Sequence, residues 1–443
     1  MFTPGQCECT KSELELFSTP PLNTSMEKGG WVEFRPISTL TSEGPIEFNV
    51  TAADEDYTDV GRTFLYLQAT IRKDTAAQKN QAIVDADKVA PANLWLHTLF
   101  SQVDVKLNGT LITPSVNTYP YRAYLETLLS YGKEAKDGQL AMQGWYQDRG
   151  GKFDDTTVAE GDDGNPGFKE RHKLISKQEG HIELLGRLHC DLFQQDRYLP
   201  NGVEMSVKLT RSSDLYNIIG QVIAGTTYRV HIETAVLYVR RVKVNPSINI
   251  EHNKRLDTGT NAKYPIRRAV VNTFTIPTGT LSKVQDNVIQ GQLPRRVVLG
   301  MVKNSTHNGS LNQNPFQFEH FNMNFLALYV EGEPVPAQPY KPKFDSNQYL
   351  RSYLSLYEAS GMWNDDRGNC ISRNDYPSGY MLHMFDLTAD MSEGQHMDPI
   401  KHGSLRVEIH FSQALTETVN VILYCEYDNL LQIDRARNVI TDY

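Results

Sequence analysis

The stretch LFSQVDVKLNGTLITPSVNTYPYRAYLETLLSYG, Leu99–Gly132, decides how this chain folds. It reads as a strand around Val103–Leu107, a turn at Asn108-Gly109, an extended run marked by proline, and a short helix. That helix, over Tyr121–Tyr131, follows Pro120 and places Tyr121, Tyr124, Leu125 and Leu128 on one side. The same order of elements returns in ALYVEGEPVPAQPYKPKFDSNQYLRSYLSLY, Ala327–Tyr357. There a helix over Ser346–Tyr357, capped at Asp345-Ser346 and stopped before Gly361, gathers Tyr349, Leu350, Tyr353, Leu354 and Tyr357. Neither copy holds an evident catalytic residue, so the repetition itself needs an explanation.

A duplicated domain returns its elements in the same order at a similar offset. Four segments do so. YLETLLS from Tyr124 matches YLRSYLS from Tyr349, LHCDLF from Leu188 matches LHMFDL from Leu382, VEMSVKLTRS from Val203 matches LRVEIHFSQA from Leu405, and AVLYVRRVKV from Ala235 matches VILYCEYDNL from Val421. Strands share a two-residue period, so one such match means little; four in colinear order mean more. The polar run NPSINIEHNKRLDTGTNAKYP between the copies reads as a turn-rich linker. The expected layout is an arm over 1–30, a first domain over 31–245, a linker over 246–261 and a second domain over 262–443.

Strand signals dominate elsewhere. In SLRVEIHFSQ, Leu405, Val407, Ile409 and Phe411 alternate with Ser404, Arg406, Glu408 and His410, the pattern of a strand with one wet face. In TTYRVHIETAVLYVRRVKV, Tyr228, Val230 and Ile232 alternate before the run turns apolar on both sides, as a strand does on passing under cover. Further strands are expected at Trp31–Phe34, Phe64–Arg72, Val203–Leu209, Arg268–Ile276, Arg296–Val302 and Phe325–Val330. Many short strands and two brief helices indicate an all-β sandwich or barrel class. The segments after the two helices, from Lys133 to Glu170 and from Glu358 to Gly379, are rich in Gly, Asp and Asn and are expected to project as exposed loops.

Bulk properties narrow the function. The 443 residues carry a formal net charge of −9, which argues against a protein whose task is to coat phosphates. Arg240-Arg241 and Arg267-Arg268 are read as solvated strand ends. Five cysteines, Cys7, Cys9, Cys190, Cys370 and Cys425, suit a reducing compartment better than a disulfide framework. No run approaches the ~20 apolar residues of a membrane span, and no signal peptide is evident. The sequons at Asn23, Asn49, Asn108, Asn304 and Asn308 are of the kind a polar chain carries by chance.

No motif for chemistry stands out. A jelly-roll metal site needs imidazoles at i and i+2 of one strand, and none of the twelve histidines has another two residues away. His-Glu-x-x-His, Gly-x-Ser-x-Gly, a Walker loop and Cys-x-x-Cys are all absent. His189 and His383 share the Leu-His pair of the second match and are read as structural. No catalytic, cofactor-binding or metal-binding residue is assigned, no binding residue can be named, and no cofactor is expected.

The segments ELELFSTPPLNTSMEKGGWVEFRPIS, Glu13–Ser38, and LHTLFSQVDVKLNGTLITPSVNTYPYRAYLETLLSYG, Leu96–Gly132, resemble the major capsid proteins of Polinton/Maverick elements and adintoviruses. The resemblance is carried by Pro-Pro followed by Glu-Lys-Gly and Trp, and by the strand, Asn-Gly turn and Tyr-Pro-Tyr-Arg run. It is good over about 1–245 and looser afterwards. It implies a double jelly roll of two eight-stranded antiparallel sandwiches, with three chains forming a pseudo-hexagonal capsomer of an icosahedral double-stranded DNA virus or virus-like transposon. Implied partners are further copies of the chain, neighbouring capsomers, a single jelly-roll penton protein and minor cement proteins. Strong direct nucleic-acid binding is not implied, and the implied location is the virion, assembled inside the host cell, in the nucleus. The arm is expected to tie the lattice together.

Two rivals share the tandem-sandwich layout: a glycan-binding or glycan-processing protein, with a carboxylate-lined or aromatic cleft, and a bicupin-type metal oxidase, which the missing His-x-His pattern weakens. A domesticated cellular copy of a capsid gene would read the same as a viral one.

Overall fold

The computed structural model describes residues 12–14, 16–17, 19–40, 43–52, 55–159, 161–177, 181–391 and 396–443. Cys7 and Cys9 lie outside the described residues, as does most of the start of the arm.

Sixteen principal strands fall into two sets of eight. The first set is β1 (Met26–Phe34), β2 (Ile46–Val50), β3 (Tyr57–Asp74), β4 (Phe100–Leu107), β5 (Thr110–Leu111), β6 (His181–Gly186), β7 (Met205–Arg211) and β8 (Thr227–Val244). They form two antiparallel sheets in the orders β1-β8-β3-β6 and β2-β7-β4-β5. The second set is β9 (Ala262–Ile276), β10 (Ser282–Gln292), β11 (Arg296–Lys303), β12 (Met323–Val330), β13 (Glu333–Tyr340), β14 (Leu382–Asp386), β15 (His402–Phe411) and β16 (Val419–Ile433). Their sheets run β9-β16-β11-β14 and β10-β15-β12-β13. Adding eight to every strand of the first half reproduces the second. Each half is a jelly roll, and the chain is a double jelly roll.

The quoted stretch lands on equivalent elements in both halves. Its helix is α1 (Tyr119–Ser130) in the first, and its counterpart in the second is α3 (Leu350–Glu358), each joining the fifth strand to the sixth. Each fourth and fifth strand are joined by a two-residue turn with both residues left-handed: Asn108 and Gly109 at φ 45° and 82°, Glu331 and Gly332 at φ 51° and 89°. That conformation matches the strand twist and ordinarily selects Asn-Gly. Glu331 tolerates it because its carboxylate and its own N–H both bond Ser404, accepting from the Ser404 N–H and donating to the Ser404 carbonyl.

The cores follow from the two-residue period. Ile46, Phe48 and Val50 on β2, Val103, Val105 and Leu107 on β4, and Met205, Val207 and Leu209 on β7 point inward and meet Leu65, Leu67, Ala69 and Ile71 of β3. In the second half Leu405, Val407, Ile409 and Phe411 of β15 face Val297, Leu299 and Met301 of β11. Two strands without a clear alternation, β10 and β13, complete the sheets. The last carries Pro334, Pro336 and Pro339, which the edge of a sheet accommodates because its outer N–H groups need no ladder partner.

The segment expected as a turn-rich linker is mostly helix. In α2 (Pro246–Asp257), Pro246 opens the first turn and Asn245 caps it by accepting from the Ser247 N–H at 3.0 Å. The start of β1 pairs with the end of β8 (Met26 with Val244), and the start of β9 with the end of β16 (Ala262 with Ile433). The arm, α2 and the last residues therefore gather at one end of both sandwiches. The long connections after β3, β5, β11 and β13 leave from the other end.

Candidate functional site

A buried charge network lies where the two halves meet. β9 is the edge strand of its sheet, so the N–H and C=O groups on its free side need partners other than a neighbouring strand. The first half supplies them. Asp191 accepts from the Ala269 N–H at 3.0 Å, Arg122 donates to the Ala269 carbonyl at 3.2 Å, and Thr118 donates to the Val271 carbonyl at 3.1 Å. Thr118 and Arg122 come from the start of α1, and Asp191 from the 3₁₀ turn Asp191–Gln194 after β6.

Behind these bonds sits a charge network. Arg122 also reaches Asp191 at 2.6 Å and Glu126, one helical turn along, at 2.9 Å. Glu126 accepts from His189 Nδ1 at 2.6 Å, from Gln194 at 2.8 Å and, across the seam, from the Tyr424 hydroxyl at 3.3 Å. Burial by itself would raise the Glu126 carboxyl; Arg122 and the His189 bond outweigh it and hold the group at about 2. Asp191 is raised by its burial, which Arg122 and the Ala269 N–H only partly offset. His97 is pushed well below the usual imidazole range by burial and by His189 beside it, ring centroids 4.6 Å apart. It is therefore neutral, donating from Nε2 to Gln143 at 2.9 Å and accepting from the Tyr119 hydroxyl at Nδ1.

The two long segments after α1 and α3 complete the seam. Both were expected to be exposed loops, and the first is not: Leu140, Trp145, Asp148, Phe153 and Asn165 are buried. Its polar groups are matched to the second half. Gln147 donates to the Cys370 carbonyl at 2.8 Å, the Gly150 N–H to Asp375 at 3.1 Å, Lys136 to the Asn369 carbonyl at 2.6 Å, and the Tyr380 hydroxyl to the Asp148 carbonyl. A Gly-, Asp- and Asn-rich composition signals irregular backbone, which exposure to water or a specific partner can satisfy equally. Its acidic tip at Asp162 and Asp163 is exposed.

His189 and His383 are not equivalent. His189 follows the end of β6 and belongs to the seam; His383 lies within β14, sealed in the second core with neither ring nitrogen hydrogen-bonded and its pKa lowered by burial to about 3. The second of the four matches thus pairs a strand with a turn, whereas the other three join equivalent elements. The two basic pairs are also more engaged than solvated strand ends. Arg241 is buried against Thr58 and the Thr51 carbonyl, and Arg268 bonds Asn429 at 3.0 Å between the rings of Tyr427 and Tyr443.

Nothing in the described residues converges as a reacting centre does. Asp390, His396 and Asp398 bring ligand atoms within 4.8 Å of one another, but Asp390 and His396 are exposed and pair at 2.9 Å, a solvated ion pair. A polar cleft of about 880 Å³ at the start of β8 includes no Tyr, Trp or Phe, and its Asp74 and Glu233 are paired with Arg229 and His181. Cys190, Cys370 and Cys425 are free thiols, and no described helix is long and apolar enough to cross a membrane.

Solved structures share this architecture over nearly the whole chain. The Sputnik virophage structure superposes with a TM-score of 0.68 at 12% identity, covering 99% of this chain and 93% of that one. A PBCV-1 virus capsid structure gives 0.61 at 9% identity over 96% and 99%, and the mavirus major capsid protein 0.54 at 12% over 100% and 96%. At such identities the likeness is one of fold. In sequence, the Caenorhabditis elegans protein F54H12.2, described only as uncharacterized, is 22% identical over 432 residues, 96% of this chain and 99% of its own. No protein-family model matches the chain.

Proposed function

We propose that this chain is a structural protein, the major capsid protein of an icosahedral double-stranded DNA virus or virus-like transposon, and that it works as a tile rather than an enzyme. One observation carries the reading: two equivalent jelly rolls are joined side by side by a buried, hydrogen-bonded seam. A rigid pair of like bricks becomes a six-cornered unit when three copies close into a ring. The shared fold of the Sputnik, PBCV-1 and mavirus structures supports it. Resemblance at Glu13–Ser38 and Leu96–Gly132 supports the narrower placement with Polinton and adintovirus capsid proteins.

The two ends of the sandwiches suit the two sides of a shell, with the long connections outward and the arm, α2 and last residues inward. Six-cornered tiles alone cannot fill a five-fold vertex, so a closed shell calls for a penton protein, for which a single jelly roll is the matching brick, and minor cement proteins would lock tile to tile. The free thiols suit assembly inside the host cell, in the nucleus, before the protein takes its place in the virion. The glycan-cleft alternative has less support, since the main polar cleft has no aromatic platform.

The test is mass and outline. Light scattering after size exclusion should return about 150 kDa, three copies of a 50.2 kDa chain, with hexagonal particles in negative stain. A monodisperse single chain would defeat the proposal. Removing the arm up to Thr24 should leave that particle folded yet unable to form shells.

A further inference from the structure

The end of the molecule where the arm, α2 and the last residues gather holds a cavity of about 580 Å³. Its walls come from both halves and from the helix between them. Ile248, His252 and Leu256 of α2 stand at four-residue spacing, so one face of the helix turns to the cavity. Tyr57 of β3, Val244 of β8 and Tyr198 line it from the first half, and Tyr264 of β9 lines it from the second. Tyr57, Val242 and Val244 form a small apolar cluster apart from the two main cores, with Tyr198 packed against it. The cavity lies along this cluster.

The polar atoms of these walls bond one another, which leaves a lining that is mostly carbon. The Tyr57 hydroxyl meets His252 Nδ1 at 2.9 Å, and the Tyr264 hydroxyl donates to the Tyr198 carbonyl at 3.0 Å. Charge enters with Arg197, Arg255 and Lys263, three exposed side chains that line the cavity where it opens to solvent. No carboxylate is among the described lining residues, although the chain as a whole carries a net charge of −9. Arg255 shares its charge with Glu251 at 3.1 Å, whereas Arg197 and Lys263 form no ion pair among the described residues. Clustered cations of one sign at the mouth of a low-dielectric cleft favour an anion there. Apolar walls favour hydrocarbon behind it.

We propose that this cavity binds a single-chain anionic amphiphile of the fatty-acid class, with its hydrocarbon between α2 and the Tyr57–Tyr264 wall and its carboxylate at Arg255 and Lys263. The volume falls within the about 300–1,000 Å³ of small-molecule sites. The bound chain touches α2 and both halves at once, so it stabilises the folded protein as any ligand of the native state does. Binding asks nothing of contacts between chains and is separate from the tile reading. One segment of the protein has the same chemistry as the ligand: the arm at Glu13–Phe17 mixes carboxylates with apolar side chains. Leu14, Leu16 and Phe17 are nevertheless exposed rather than seated in the cavity, which favours the amphiphile as the occupant.

Calorimetric titration of the full chain with decanoate, below its micelle concentration, tests this and should return one site per chain. Decanoate at about one hundred times its dissociation constant should raise the melting temperature by about 3 °C. Chain length reads the apolar part: from hexanoate to decanoate, each methylene should tighten binding about fourfold. The head group reads the charge: decanol should bind about tenfold more weakly, and Arg255→Gln combined with Lys263→Gln should erase that difference. Ile248→Trp fills the cavity and should abolish binding of both; the glutamine pair, on exposed side chains, decides the matter where the tryptophan variant fails to fold. A full chain that binds no decanoate, or binding that neither variant alters, would overturn the site. Binding that appears only with Leu14→Ser, Leu16→Ser and Phe17→Ser together would give the cavity to the arm, and retention on phosphatidylglycerol vesicles without binding of soluble decanoate would give it to a membrane surface; either result also overturns the proposal.

Discussion

Replacing Arg122 with methionine asks whether the seam between the halves is held by charge compensation or by shape alone. The guanidinium is buried and donates to Glu126 at 2.9 Å, Asp191 at 2.6 Å and the Ala269 carbonyl at 3.2 Å. Methionine retains part of the volume but leaves two carboxylates and an edge-strand carbonyl without that partner. Removing one side of a buried ion pair costs about 3–5 kcal/mol, a large share of the ~5–15 kcal/mol that holds a domain folded. At about 2.1 cal/mol/K of unfolding entropy per residue, a 443-residue chain melting as one unit should lose about 3–5 °C. The pH dependence identifies the cause. In the wild type Glu126 is held at about 2, so its contribution is complete above the ordinary carboxyl range and is lost as pH falls from there toward 2. Without Arg122, burial drives the Glu126 carboxyl upward and raises that of Asp191, already elevated, further. The variant's deficit should therefore be greatest near neutrality and shrink as pH falls through the raised values and the groups take up protons. Calorimetry at fixed protein concentration, at about pH 7.5 and about pH 5, reads both effects. A loss under about 1 kcal/mol, or an equal loss at the two pH values, would refute the argument.

Other positions give independent checks. Gly300→Ala should destabilise by about 1–3 kcal/mol in urea titrations, because a Cβ there would sit 2.5 Å from Phe318 and 2.6 Å from Leu382 in the second core. His383 is neutral in the fold with a pKa lowered to about 3, so the unfolded chain binds the extra proton and stability falls as pH drops below the ordinary imidazole value. His383→Phe should remove that slope, up to about 1.4 kcal/mol per pH unit, in melts between about pH 6.5 and pH 4. Lys136→Met should cost about 1–3 kcal/mol by leaving the buried carbonyls of Leu128 and Asn369 without their donor, measured by the same titration.

Much of the architecture is legible in the sequence, because strands and two-residue turns are local objects. The alternation in Leu405–Phe411, the Asn108-Gly109 turn and the Tyr-Leu pair shared by Tyr124 and Tyr349 depend only on nearby residues, and together they mark a duplicated β-sandwich. What stayed hidden depends on chain segments far apart. The Lys133–Glu170 segment looks like an exposed loop until Cys370, Asp375 and Tyr380 arrive to satisfy its backbone. His189 and His383 share a dipeptide but not a place, since a short motif does not say which residue a ladder will take in. Arg122 reads as an ordinary helix residue, and nothing near it in sequence announces Ala269, 147 residues away, as its acceptor. By itself, then, the amino-acid order determined what each segment prefers to be and that the pattern occurs twice. Only the tertiary structure decided which of two equivalent edges is covered, Ala269 rather than Trp31, because burial belongs to the pair of surfaces that meet and not to either segment alone.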